Sequence, residues 1–155
     1  MATKPLGLRS PYNRPGVNQV SEHSNTAVIQ SMYTAFNRGD IQVILSNTAP
    51  NAEWVNYGPA AVPYFGDFSS RVADFFQAMG KSITDGSVVI DRYIAAGEVV
   101  VTEGRYTATA RETGAKIDAP IAHVFTLRDG KVTSWKGYGD TATVLAAHTG
   151  KIASA

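Results

Sequence analysis

From Ser87 to Gly139 the chain is a succession of β-rich segments whose connections are too short for anything but hairpins. "SVVIDRYIA" and "EVVVTEGRYTATA" are separated by Ala96-Gly97, "RETG" precedes "KIDAPIAHVFTL", and Asp129-Gly130 joins that segment to "KVTSWKGYG". Parallel neighbours need a crossover of about a dozen residues, so these four segments pair antiparallel. Asp-Gly is the sharpest of the turn signals, because a type I′ hairpin requires positive φ at both central residues.

The first half of the chain reads differently. Residues 1–23 carry three prolines, Pro5, Pro11 and Pro15, and are expected to form an irregular arm. Ser24 or Asn25 then caps a helix that places Val28, Ile29, Met32, Tyr33 and Phe36 on one face, with Gly39 as its stop. Asp40 is expected to cap a short second helix carrying Ile41, Ile44 and Leu45. "AEWVNY" reads as a strand. A third helix presents Val72, Phe75, Phe76 and Met79 and is expected to end at Gly80. "TATVLAAH" supplies one or two further turns. Helices segregated from hairpins give the class α+β: one curved, largely antiparallel (mixed) sheet wrapped on about three helices, which would leave a concave face that the helices only partly fill. The domain is expected to span residues 24–148, with an N-terminal arm at 1–23 and a tail at 149–155.

Composition narrows the function. A formal net charge of +1 favours neither a nucleic-acid partner nor a strong collecting field. The charge is uneven, since Lys4, Arg9 and Arg14 precede the first acid, Glu22. The absence of cysteine removes disulfides, thiolate metal sites and cysteine nucleophiles. No apolar run nears the roughly 18 residues of a membrane helix, and no hydrophobic region follows Lys4 as in a secretory leader. The expectation is a cytoplasmic protein with no nucleic-acid or membrane partner. The three histidines show no ligand spacing, so no metal and no cofactor is expected.

If Asp129 and Gly130 form the two-residue loop, Arg128 pairs with Lys131. An uninterrupted ladder then sets Val124 opposite Trp135 and Ala122 opposite Gly137. Ala122, Val124, Trp135 and Gly137 would share the pocket face, and His123 would lie on the outer face near Lys136. A slip of one residue exchanges the two sets.

"YTAFNRGD", "EWVN" and "APIAHVFTLRDGKVTSWKGYGD" together resemble the nuclear transport factor 2-like superfamily, in its SnoaL-like and ketosteroid isomerase-related branch. The resemblance runs from about Asn25 to Leu145. It implies a cone of sheet and helices around an apolar pocket, commonly dimerised through the outer sheet face. It also implies acid positions that this chain leaves empty. Met32 stands at the tyrosine of the steroid isomerases, Asn56 at their base and Ala122 at their protonated acid. Gly137 stands where cyclases and epoxide hydrolases carry an aspartate, and Trp54 replaces the tyrosine that pairs with the hydrolases' asparagine.

The expected function is therefore binding of a small apolar molecule in a pocket lined by Met32, Trp54, Asn56, Tyr106, Ala122, Val124, Trp135 and Gly137. One alternative is an isomerase, cyclase or hydrolase whose acid or base has moved to His123, Asp140 or Glu103. The other is a protein-interaction module, dimeric through "EVVVTEGRY" and "IAHVFTL". Outside catalysis, Asp140 serves as a helix cap and Glu103 as an ion-pair partner.

Overall fold

The computed structural model describes residues 17–150 of the chain. In chain order the elements are α1 (Val17–Asn37), α2 (Ile41–Ser46), β1 (Thr48–Asn56), β2 (Gly66–Asp67), α3 (Val72–Ser82), β3 (Ile83–Ala96), β4 (Val99–Ala110), β5 (Lys116–Arg128), β6 (Lys131–Gly139) and α4 (Thr141–Thr149). The six strands form one mixed sheet in the order β2-β1-β6-β5-β4-β3. β3 to β6 pair antiparallel as successive hairpins, and β1 closes the other side by running parallel to β6. The sheet is open, the helices pack on its concave side, and the class is α+β as expected. Among the described residues no helix is long and apolar enough to cross a membrane.

Helix α1 begins at Val17 rather than at Ser24, so residues 17–23 are helical, not irregular. The last helix breakers before it are Pro15 and Gly16; nothing in "VNQVSEH" opposes a helix. The added turns have a task, because Glu22 Oε1 accepts the Gly97 N–H at 2.8 Å and ties the helix to the β3–β4 turn. Residues 1–16 of the expected arm, and residues 151–155 of the expected tail, lie outside the described residues. At the other end of α1, the Asn37 amide donates to Val88 O and its carbonyl accepts Val88 N–H, at 2.9 and 2.8 Å. The expected stripe is buried at Ile29, Met32 and Tyr33, and Phe36 packs beside it.

Smaller boundaries also differ. Asp40 sits at the N-terminal flank of α2 without a side-chain capping bond. α3 continues through Gly80 to Ser82, where the Ser82 hydroxyl donates to Ala78 O. The β3–β4 loop is Gly97-Glu98, one residue later than expected, with Gly97 at φ 59°. Asp129 and Gly130 do adopt positive φ, 51° and 74°, and Arg128 does pair with Lys131.

The decisive departure lies three residues beyond that turn. The β5–β6 ladder shifts between Thr126 and Leu127: Leu127 faces Val132, but Thr126 faces Ser134, leaving Thr133 as an extra residue. A bulge of this kind sets two residues against one and reverses face parity beyond it. Phe125 therefore faces Trp135, His123 faces Gly137 and Ala122 faces Tyr138. The uninterrupted ladder is overturned, and His123 moves to the concave face while Ala122 and Val124 move to the outer one.

At Gly104 the β4 backbone comes too close to β3 to admit a side chain. A Cβ on Gly104 would lie 2.0 Å from the Val89 carbonyl oxygen, a separation no side chain tolerates. The β3–β4 ladder carries a further shift there, between Ile90 and Arg92.

Candidate functional site

The concave face of the sheet and the helices above it enclose a cavity of about 100 Å³. Its walls are almost wholly apolar and aromatic: α1 supplies Met32, Tyr33 and Phe36, α3 supplies Phe75, Phe76 and Met79, and the sheet supplies Trp54, Tyr106, Phe125 and Trp135. Tyr57 and Tyr138, stacked at 5.0 Å and each close to half exposed, form its rim with Asp140 and Thr141.

His123 is the one histidine within these walls among the described residues. It is directly opposite Thr102 on β4, and both point inward. Tyr33 reaches down from α1 so that its hydroxyl lies 2.7 Å from Thr102 Oγ1 and 2.6 Å from His123 Nδ1. Thr102 is fully buried and Tyr33 is its hydrogen-bond partner among the described residues, so the arrangement that uses every hydrogen runs one way. Thr102 donates to Tyr33, Tyr33 donates to Nδ1, and the imidazole carries its own hydrogen on Nε2. Burial pushes the His123 pKa down to about 3, so the ring is neutral at physiological pH. Burial likewise pushes the Tyr33 phenol far up, and it stays protonated. The ring stacks on Tyr33 at 5.9 Å and meets the Trp135 edge at 5.0 Å. His123 retains some accessible surface, and the space it borders is the cavity, not bulk solvent. Nε2 has no protein partner, yet it is absent from the fully buried unpaired atoms. It therefore opens on the cavity.

Trp54 extends the aromatic wall. It stacks on Trp135 at 4.8 Å and is 2% exposed. Its Nε1 is the one buried side-chain polar atom among the described residues without a hydrogen-bond partner. Leaving such a group unpaired costs about 1–3 kcal/mol, and because the atom has no accessible surface it offers a ligand in the cavity no donor as it stands.

The expected binding residues divide. Met32, Trp54, Asn56, Tyr106 and Trp135 line the cavity; Ala122 and Val124 do not, because the Thr133 bulge turns them outward. Gly137 is on the inner face but offers no ligand space. A Cβ there would lie 2.4 Å from Asn56 Oδ1 and 2.6 Å from the Trp135 ring, so the room left by the missing side chain is filled from within. Asn56 pairs with Gly137 across β1 and β6, and its amide donates to Tyr64 O at 3.1 Å.

The catalytic candidates divide as well. His123, expected on the outer face, lines the cavity. Asp140 reaches the rim but is held as the cap of α4: its carboxylate accepts Thr143 N–H at 3.2 Å and Thr143 O–H at 2.6 Å, which lowers its pKa. Glu103 lies on the outer face, paired with Arg92, while Arg105 pairs with Asp118. Asp140 is thus the one carboxylate lining the cavity among the described residues. Those residues contain no group of three or more potential metal ligands.

Sequence reasoning missed Tyr33, Thr102 and Tyr64 as polar members of the site. Tyr33 was visible on the inward stripe of α1. Thr102 and Tyr64 had no local signal, since their partners are 69 and 84 residues away.

The comparisons agree with this architecture. A family model described as a SnoaL-like domain matches residues 29–135. Among solved structures, an NTF2-like protein of unknown function from Burkholderia pseudomallei K96243 aligns with TM-score 0.76 and 24% identity, over 81% of this chain and 98% of its own. An NTF2-like protein from Burkholderia thailandensis E264 gives 0.71 and 28%, over 79% and 95%. TerC, co-crystallised with polyporic acid, gives 0.73 and 24%, over 81% and 98%. Among curated proteins there is no match.

Proposed function

The chain belongs to the SnoaL-like domain family, and from that premise we propose that its cavity binds a small, largely apolar molecule through one hydrogen-bond acceptor, best a carbonyl oxygen. The observation that carries this reading is His123. It is a neutral imidazole in an aromatic box, with Nδ1 engaged by Tyr33 and the Nε2 hydrogen turned to the cavity. An apolar cavity with a few convergent polar groups is the usual form of a ligand site. The enclosed room is below the roughly 150 Å³ that accommodates benzene. A ring or the end of a longer molecule enters in part, with the remainder leaving past Tyr57 and Tyr138. The co-crystallisation of TerC with polyporic acid supports a small-molecule occupant for this fold.

A second reading is favoured by the same inward position. A neutral imidazole that donates to a carbonyl oxygen polarises it, and it can pass the hydrogen on as a general acid. On this reading the protein is a cofactor-independent isomerase, cyclase or hydrolase, with His123 in contact with substrate and Tyr33 and Thr102 positioning it. The proposal also includes a homodimer through the outer sheet face, where Val89 is 62% exposed, and a cytoplasmic location.

The test is a thermal-shift screen with small cyclic ketones, polycyclic ketones, aromatic polyketides, epoxides and fatty acids, and with nucleotides as controls. At 100 times its Kd a ligand adds about 2.7 kcal/mol. Shifts confined to carbonyl compounds and lost in His123→Phe are expected. Stabilisation by nucleotides alone, or by nothing, would reject the cavity as a ligand site.

A further inference from the structure

A second chain of hydrogen bonds leaves the cavity in the opposite sense. Tyr106 and Tyr64 both line the cavity, and Tyr106 donates its hydroxyl hydrogen to Tyr64 Oη at 3.2 Å. Tyr64 Oη lies 2.6 Å from His148 Nε2 on α4. His148 in turn borders a separate polar pocket with Lys81, Ser82, Arg111 and Glu112. The cavity is thus joined to an outer pocket by three side chains in hydrogen-bond contact.

The hydrogens on this chain are not free to choose. Tyr64 accepts from Tyr106, so its own hydrogen must go to His148 Nε2, and the neutral imidazole must hold its hydrogen on Nδ1. Tyr106 has then spent its hydrogen inward and can only accept from a molecule in the cavity. Protonation of His148 reverses every link. Nε2–H now donates to Tyr64. Tyr64 is 1% exposed, and Tyr106 is the remaining hydrogen-bond partner of its hydroxyl among the described residues. Tyr106 must then turn its hydrogen to the cavity.

We propose that His148 is a positioning residue that sets, through Tyr64, whether Tyr106 takes or gives a hydrogen bond in the cavity. The consequence for selectivity rests on the ligand site argued above: hydroxyl-bearing molecules such as phenols fit the neutral state, and a second carbonyl fits the protonated one. The groups facing His148 are Tyr64 from the β1–β2 connection, Lys81 from α3, and Arg111 and Glu112 from the β4–β5 turn. Burial lowers the His148 pKa and Glu112 opposes that shift, so neutral His148 is the ordinary state and the reversed chain appears on acidification.

The experiment is an NMR pH titration of the free protein, following the His148 ring nitrogens and the Tyr106 ring carbon that bears the hydroxyl. The expected result is neutral His148 protonated on Nδ1, with the Tyr106 signal moving at the His148 midpoint. Tyr64→Phe should leave the His148 titration in place and abolish the Tyr106 response. Neutral His148 protonated on Nε2, or a Tyr106 signal indifferent to His148, would overturn the proposal. His148→Gln supplies the same loss of response if Tyr64→Phe does not fold. Phenol and cyclohexanone then report on selectivity. The ratio of their Kd values should change about tenfold, 1.4 kcal/mol, across that midpoint. A constant ratio for two bound probes would overturn the selectivity claim. If neither binds, the ligand-site reading fails, while the ring titration still decides the proposal.

Discussion

Acidification tests the placement of His123 in a dry, aromatic site. The unfolded chain takes up a proton on this residue near pH 6.5, the folded chain only near 3. A folded pKa depressed below the unfolded one contributes stability that is fully present above 6.5 and lost as pH falls towards 3. Between pH 7 and pH 5 the loss is about 2 kcal/mol, and over the whole interval about 5 kcal/mol. A cavity that holds water would reduce both figures, because the ring borders it. The assay is urea unfolding of the wild type and of His123→Gln at half-unit steps of pH. His148 and the carboxylates titrate in both proteins, so the difference between the two isolates His123. The wild type should lose stability relative to the variant as pH falls from 7 to 5. A flat difference would refute the reasoning, because it would mean that the folded protein protonates His123 as readily as the unfolded chain.

Three substitutions follow from the same geometry. Tyr33→Phe leaves Thr102 and His123 Nδ1 without their shared partner and should cost about 1–3 kcal/mol in urea unfolding. Gly137→Ala drives a Cβ into Asn56 and Trp135 and should cost about 1–3 kcal/mol. Asp140→Ala removes the α4 cap and should lower Tm. Because the folded pKa of Asp140 is depressed, that difference should be present above about pH 4 and fade below it.

The hairpin texture, the order of the elements and the aromatic stripes of α1 and α3 were legible because each is encoded within a few residues. The Asp129-Gly130 turn was legible for the same reason, and its backbone dihedrals agree. What failed was parity, not pairing. Thr133 carries no local mark of a bulge, since threonine suits a regular strand equally well. That one residue exchanged His123 for Ala122 on the pocket face. The β1–β6 pairing was also invisible, because it joins segments some 80 residues apart and has no turn to announce it. That the space at Gly137 is filled was not legible, since its occupants come from Asn56 and from Trp135 on its own strand.

The central claim is that His123 presents an Nε2 hydrogen to a ligand in the cavity. The most direct measurement follows the two ring nitrogens of His123 by NMR while cyclohexanone is added, with cyclohexane as the control of equal bulk. The account expects the free protein to show hydrogen on Nε2 and none on Nδ1. It also expects cyclohexanone to shift the Nε2 signal saturably, with cyclohexane leaving it in place. Hydrogen on Nδ1, or an Nε2 signal unmoved by a ketone that binds, would contradict it.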